Sequence, residues 1–344
     1  MRPGTTPDTI CLPFVGKPVL LSCSMQRLAV IDLGTNTFHL LIAENHSGRY
    51  DILYRDRLAV KVGVGGINQG LITPEGAARA LNAFRQFARE LTLWKVNRVR
   101  AIATSAFRNA RNGAEVAEAI RQETGIGIEI VPGEQEADYI ARGVLQAVRV
   151  GARPALIVDI GGGSVEMIMA SDQATLWKRS FEVGGQRLVE LFQQHDPILP
   201  SEKEALFRHL DERLSDLLPA FDEFRPSVLV GSSGTFDTLS EMFCYREHRP
   251  YDGTQSETPL TLEGFHYFHR LFQQKNRSER MQMPGMIELR VDMIVVACCL
   301  IEWVLAKHSL FTEIRVSTFA LKEGVLLEML QPHTHETHPA PPHH

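Results

Sequence analysis

The chain has 344 residues, enough for two ordinary domains with sizeable cores. Hydrophobic residues make up 44% and charged residues 22%, the balance of a soluble globular protein. The net charge of -5 argues against nucleic acid as a partner, so any polyanionic ligand must be met by a local basic site.

In chain order, residues 1–24 read as a loose extension, with Met25 as an alternative start. Gly16, Lys17 and Pro18 interrupt the apolar run Leu12–Cys23, which weighs against an export signal. Leu28–Ile31 is an apolar strand that ends in Asp32-Leu-Gly-Thr-Asn-Thr37, and Phe38–Ala43 returns as a second strand. Asp51–Leu58 and Val60–Val64 read as further strands, followed by a glycine-punctuated loop. Thr73-Pro-Glu75 opens a helix: Thr caps, Pro suits the first turn, and Glu suits the positive end. Arg98–Ala103 is a strand, followed by the turn Thr104–Arg108 and a helix to about Gln122. Ile126–Val131 is another strand, and Pro132-Gly133 leads into a helix over Glu134–Val148.

Ala155–Val158 is a strand ending in Asp159-Ile-Gly-Gly-Gly-Ser164, and Val165–Ala170 is the strand after it. Laid beneath the first hairpin without gaps, Asp159 meets Asp32, Gly161 meets Gly34, Ser164 meets Thr37 and Ala170 meets Ala43. Two matching hairpins, each opening a domain-sized stretch, mark an internal duplication. A third small-residue loop, Gly231-Ser-Ser-Gly-Thr235, leads from the strand Ser227–Val230 into a helix over Phe236–Met242. A helix follows at Leu262–Lys275. Met293–Leu305 is too short and too closely bracketed by Asp292 and Glu302 to span a membrane, and reads as a buried helix. Glu313–Ser317 is a late strand, Phe319–Leu330 the last helix, and residues 331–344 a disordered His/Pro-rich tail. The five cysteines form no CxxC pair, as expected of buried thiols in a reducing cytosol.

The alternation of strands and helices with one repeat predicts an α/β fold: two duplicated domains, residues 25–148 and 149–330, facing each other across a central cleft. The last helix, 319–330, is a candidate to pack back on the first domain. Tight Gly/Ser/Thr turns bind phosphate through unpaired backbone N–H groups. That makes Gly34, Thr35, Asn36 and Thr37, Gly161, Gly162, Gly163 and Ser164, and Ser233, Gly234 and Thr235 the candidate phosphate cradle. Asp32 and Asp159, at equivalent strand ends, are placed to hold Mg2+ directly or through water. Glu134 and Glu136, in one helix's first turn, are each candidates to activate water. Arg108 has the position to fork onto phosphate oxygens, Glu166 shares a strand face with Ser164, and His39 is its counterpart in the first copy.

The chain resembles the exopolyphosphatase/guanosine pentaphosphate phosphatase family, within the actin/Hsp70/sugar-kinase superfamily. The resemblance lies in Ala29-Val-Ile-Asp-Leu-Gly-Thr-Asn-Thr-Phe-His39, Ala103-Thr-Ser-Ala-Phe-Arg108, Pro132-Gly-Glu-Gln-Glu-Ala137, Val158-Asp-Ile-Gly-Gly-Gly-Ser-Val-Glu166 and Gly231–Thr235, in family order. It implies two actin-like (ribonuclease H-like) domains in a short form, and a catalytic carboxylate at Glu136. Gln135 departs from the Glu common at that place. It further implies a role for Arg108, Mg2+ near Asp159 and Glu166, and inorganic polyphosphate or guanosine pentaphosphate as substrate. A cytoplasmic enzyme without membrane attachment follows, with a homodimer as one expectation. An ATP-dependent sugar or acid kinase and a non-catalytic nucleotide sensor of actin type are the competing classes.

Overall fold

The computed structural model describes residues 26–46 and 49–331. The 1–24 extension, Met25, Cys11, Cys23 and the tail beyond Gln331 lie outside the described residues.

The first half runs β1 Gln26–Leu33, β2 Phe38–His46, β3 Arg49–Leu58, α1 Pro74–Leu93, β4 Arg98–Ala103, α2 Ser105–Asn109, α3 Gly113–Thr124, β5 Ile128–Ile130 and α4 Gly133–Ala147. The second runs β6 Ala155–Ile160, β7 Val165–Ala170, β8 Thr175–Phe181, α5 Gly185–Phe192, α6 Pro200–Arg213, α7 Leu217–Phe224, β9 Val228–Ser232 and α8 Ser233–Arg246. It continues through β10 Glu257–Thr258, α9 Leu262–Gln274, α10 Arg277–Met281, α11 Ile294–Lys307, β11 Glu313–Ser317 and α12 Leu321–Leu330.

The duplication is written into the sheets. The first has the order β3-β2-β1-β4-β5; the second, apart from its edge strand β10, has β8-β7-β6-β9-β11. Both begin as antiparallel meanders and finish with parallel strands. This is an α/β architecture with two related mixed sheets, as the alternation of strands and helices predicts. β1 and β6 are buried on both faces, which is why they read as continuous apolar runs rather than alternating ones.

The space between the sheets is a core of its own. Leu28 and Val30 of β1, Ile157 of β6 and Ile168 of β7 meet there with α4 and α12. α12 therefore joins the last segment of the chain to the first domain. Close approach is required at Gly143 and Gly324: a Cβ on either would overlap backbone atoms of the other helix's segment, at Ala320 and Tyr139 respectively. Glu328 of α12 ties the crossing to the first sheet, accepting from Arg100 at 2.7 Å and from Arg142 at 2.8 Å.

Several local expectations change. Val60–Val64 is a turn rather than a strand. Val60 and Val62 are buried alternately, which imitates a strand, but Lys61 takes a positive φ of 51°. The backbone N–H groups of Lys61 and Gly63 donate to the carbonyls of Asn36 and Thr35, so this segment braces the first loop instead of extending a sheet. The turn expected over Thr104–Arg108 is the short helix α2, so the helical run starts earlier than expected and is interrupted before α3. Asn112 breaks it by exchanging side-chain hydrogen bonds with the backbone of Ile72. α8 begins at Ser233, three residues earlier than expected, and α12 begins at Leu321. Met293–Leu305 falls on the buried helix α11, and no helix among the described residues is long and apolar enough to cross a membrane. Cys244, Cys298 and Cys299 are free and buried.

Candidate active site

The two Asp-Gly loops adopt the same turn. Gly34 N–H donates to the Thr37 carbonyl at 3.1 Å, and Gly161 N–H to the Ser164 carbonyl at 3.0 Å. The strand registers correspond as well: Asp32 lies opposite His39, and Asp159 opposite Glu166. Both loops line one cleft between the sheets, together with Ser233, Gly234 and Glu136.

The start of α5 touches the first half across this cleft. The Asn36 amide donates to Gln186 Oε1 at 3.3 Å, and the guanidinium of Arg187 reaches the Ile67 carbonyl at 2.8 Å. The cleft between the two halves holds a cavity of about 110 Å³ that opens to solvent. Its lining is mostly backbone and small polar side chains of the loops, with acidic and basic side chains around them.

Glu136 is the carboxylate that faces the cavity; Glu134 of the same turn is exposed. Arg108 Nη1 donates to Glu136 Oε2 at 2.6 Å. The other arm of Arg108 reaches Glu182 Oε1 at 3.1 Å, and Glu182 in turn accepts from Ser105 and Arg187. Arg108 thus stands behind Glu136, its donors engaged by protein carboxylates, and does not line the cavity as a phosphate fork. Burial pushes the Glu136 carboxyl up to about 7, with Arg108 opposing and Asp159 and Asp32 adding to the rise.

Asp159 accepts from Ser232 Oγ at 2.6 Å and Ser233 Oγ at 2.7 Å, so the Ser233 hydroxyl serves this carboxylate. Glu166 accepts from Ser180 Oγ at 2.6 Å. Burial raises both carboxyls, and for Glu166 the neighbouring Glu136 and Asp159 raise it further. Asp32 is lifted to about 7 by burial, against the attraction of Lys322. Thr235 is buried and takes no part in the lining; the other loop candidates all do.

Four charged cleft residues escaped the sequence reading: Arg57 on β3, Arg290, Lys322 and Asp237. Arg290 lies so close over Gly234 that a Cβ there would overlap its guanidinium, and its buried Nε has no partner. Lys322, in the first turn of α12, pairs with Glu323 at 3.3 Å and faces Asp32. A cation at a helix N-terminus opposes the helix dipole, and that was the signal available. Asp237 on α8 is raised to about 6 by burial, and its Oδ1 has no partner. His39 is held neutral, its pKa lowered by burial and by Lys322, Arg290 and Arg57.

The donor set suits a hard cation. Asp159 and Glu166 sit side by side on neighbouring strands, and Asn36 Oδ1, Thr37 Oγ1 and Asp237 Oδ1 are buried oxygens without partners in the same cleft. Mg2+ commonly binds through one or two carboxylates and keeps waters or substrate phosphates as its other ligands. Among the described residues, three metal-ligating side chains converge within 4.8 Å only elsewhere, at His269, Cys299 and Glu302.

Comparison with known proteins agrees with this geometry. The model of the Ppx/GppA phosphatase family matches residues 41–333. The chain is 26% identical over 307 residues to exopolyphosphatase 1 of Mycobacterium leprae, covering 89% of this chain and 90% of that protein. A crystal structure of an exopolyphosphatase from Cytophaga hutchinsonii superposes with a TM-score of 0.86 at 43% identity, over 89% of this chain and 98% of that one. A family member from Aquifex aeolicus shares the fold, with a TM-score of 0.73 at 24% identity over 89% and 98% of the two chains.

Proposed function

The chain belongs to the Ppx/GppA phosphatase family, and from that premise we propose that it is an exopolyphosphatase, removing terminal orthophosphate from inorganic polyphosphate. The observation that carries this reading is Glu136: a buried carboxylate, fixed by Arg108 at 2.6 Å, on the wall of the cleft that the Gly/Ser/Thr loops line.

The terminal phosphoryl group sits between the loops Gly34–Thr37 and Gly161–Ser164, where backbone N–H groups meet its oxygens. Arg290 and Lys322 offset its charge. Asp159 and Glu166 would hold Mg2+, which when bound supplies further neutralisation of phosphate charge. Glu136 accepts a proton from water as the water oxygen bonds to phosphorus. The bridging P–O bond breaks, and the shortened chain leaves with its negative charge. Positioning and electrostatics do most of the work in such transfers. Arg108 positions Glu136 rather than binding substrate.

Phosphate release in Mg2+ from short polyphosphate, long polyphosphate and guanosine pentaphosphate, measured side by side, tests the reading. Release from polyphosphate is expected. Release from guanosine pentaphosphate alone would replace it with the nucleotide-directed activity. Relatives named exopolyphosphatase favour the first outcome.

A further inference from the structure

Two kinds of contact join the halves of the molecule. The first is the apolar core that α4 and α12 fill between the sheets. The second is a polar seam, made by α5 and the link before it against the first half. Arg187 Nη1 donates to the Ile67 carbonyl at 2.8 Å, and Glu190 accepts from the Gly65 N–H and from Asn68 Nδ2, each at 3.1 Å. Exposing an apolar core is costly, whereas partly exposed hydrogen bonds exchange with water at little net cost. Opening of the cleft therefore breaks the seam and spares the core.

Glu182 is the member of this seam that reaches the chemistry. It belongs to the second half, yet two of its partners belong to the first. Its Oε2 accepts from Ser105 Oγ at 2.7 Å and from Arg187 Nη2 at 3.1 Å, and its Oε1 accepts from Arg108 Nη2 at 3.1 Å. Burial pushes the Glu182 carboxyl up, but the donors of Ser105, Asn109 and Arg108 hold it below the usual carboxylate range. The opposite arm of Arg108 holds Glu136 at 2.6 Å. A guanidinium is planar, so gripping both arms fixes the direction in which the fork points. The other contacts of Arg108 are longer, 3.3 Å to the Val131 carbonyl and 3.5 Å to Ser180 Oγ. Glu182 itself does not line the cavity.

Resting on the proposed hydrolase reading, we propose that Glu182 is a positioning residue that ties the placement of Glu136 to closure of the cleft. With the halves together, Glu182 pins Arg108, and Arg108 aims Glu136 at the bound phosphoryl group. With the halves apart, Arg108 loses its second carboxylate and Glu136 its fixed orientation, so water is not activated in an open cleft.

The test is a double-mutant cycle of Glu182→Gln and Arg108→Gln, read as orthophosphate release from polyphosphate in Mg2+. Glu182→Gln should lower kcat about tenfold and leave KM within about twofold, and Glu182→Asp, which keeps the charge, should retain more turnover than Glu182→Gln. In the Arg108→Gln background, adding Glu182→Gln should cost less than about twofold, because the route to Glu136 is already cut. Equal losses in both backgrounds overturn the proposal, as does a rise in KM with kcat unchanged. A second readout needs no turnover. Hydrogen exchange over residues 65–71, the turn that α5 holds, should quicken several-fold in Glu182→Gln while the amides of α12 keep their rates. Unchanged exchange over 65–71 overturns the tie to closure. Release from guanosine pentaphosphate alone would fail the polyphosphate reading, and the same cycle run on that nucleotide then decides the role of Glu182. Release from neither would fail the hydrolase reading, and the exchange comparison still decides whether Glu182 holds the seam.

Discussion

At the scale of single residues, the site is a set of carboxylates in a place that disfavours their charge. Glu136 and Asp32 are lifted to about 7 by burial, and Glu166 is raised further by its acidic neighbours. Two consequences differ in sign. Proton acceptance needs ionised Glu136, so kcat/KM should rise with pH and level off above an apparent pKa near 7 shared by the coupled carboxylates. A pH profile flat from 5 to 8 would remove Glu136 from that role. Stability runs the other way. Asp32 has a folded pKa above its unfolded value, so its contribution is full below about pH 4 and is lost as pH rises through 7. Asp32→Asn should therefore stabilise the metal-free protein at pH 8, by on the order of 2 kcal/mol, and do little at pH 4. Thermal unfolding at the two pH values checks this. Arg108 was legible in the sequence as a cation beside the cleft, but not its target. Its partners Glu136 and Glu182 come from the two halves of the chain, and no local pattern announces that meeting.

At the scale of elements, the readable parts were those whose physics is local. The two hairpins showed because an Asp-Gly turn between apolar strands is a short, contiguous pattern, and the cap of α1 showed because Thr73 accepts from Gly76 N–H at 3.1 Å within four residues. Val60–Val64 misled because alternating burial was present while the hydrogen bonds went to the first loop. The loop therefore depends on that segment. Ser180, Glu182 and Arg187 reach the cleft from β8, the link after it and α5; β8 is largely polar without clean alternation, and α5 is only eight residues long. The α4–α12 crossing makes a further prediction. Gly324→Ala places a methyl against the Tyr139 backbone and should cost about 1–3 kcal/mol. Gly127→Ala, with open space around it, should stay within about 0.5 kcal/mol. Equal denaturation midpoints for the two variants would show that the crossing tolerates separation.

At the scale of the whole molecule, two copies of one sheet topology supply two matching loops, and the core between the sheets fixes their distance. The duplication explains the symmetry of the grip; the departures from it explain the chemistry. His39 stands where Glu166 stands in the second copy, so the carboxylate pair exists on one side only. The loops that line the cleft were largely legible in the sequence. Arg290 and Lys322 were not, because each arrives from a segment with no counterpart among the motifs, folded over the cleft by tertiary contacts. The central claim is that Glu136 activates water against a phosphoanhydride held in this cleft. It is tested most directly by orthophosphate release from polyphosphate in Mg2+, comparing the native chain with Glu136→Gln, alongside polyphosphate binding to both. The account predicts a fall in turnover of about 10²–10⁴-fold with binding largely retained. Undiminished turnover in Glu136→Gln would contradict it.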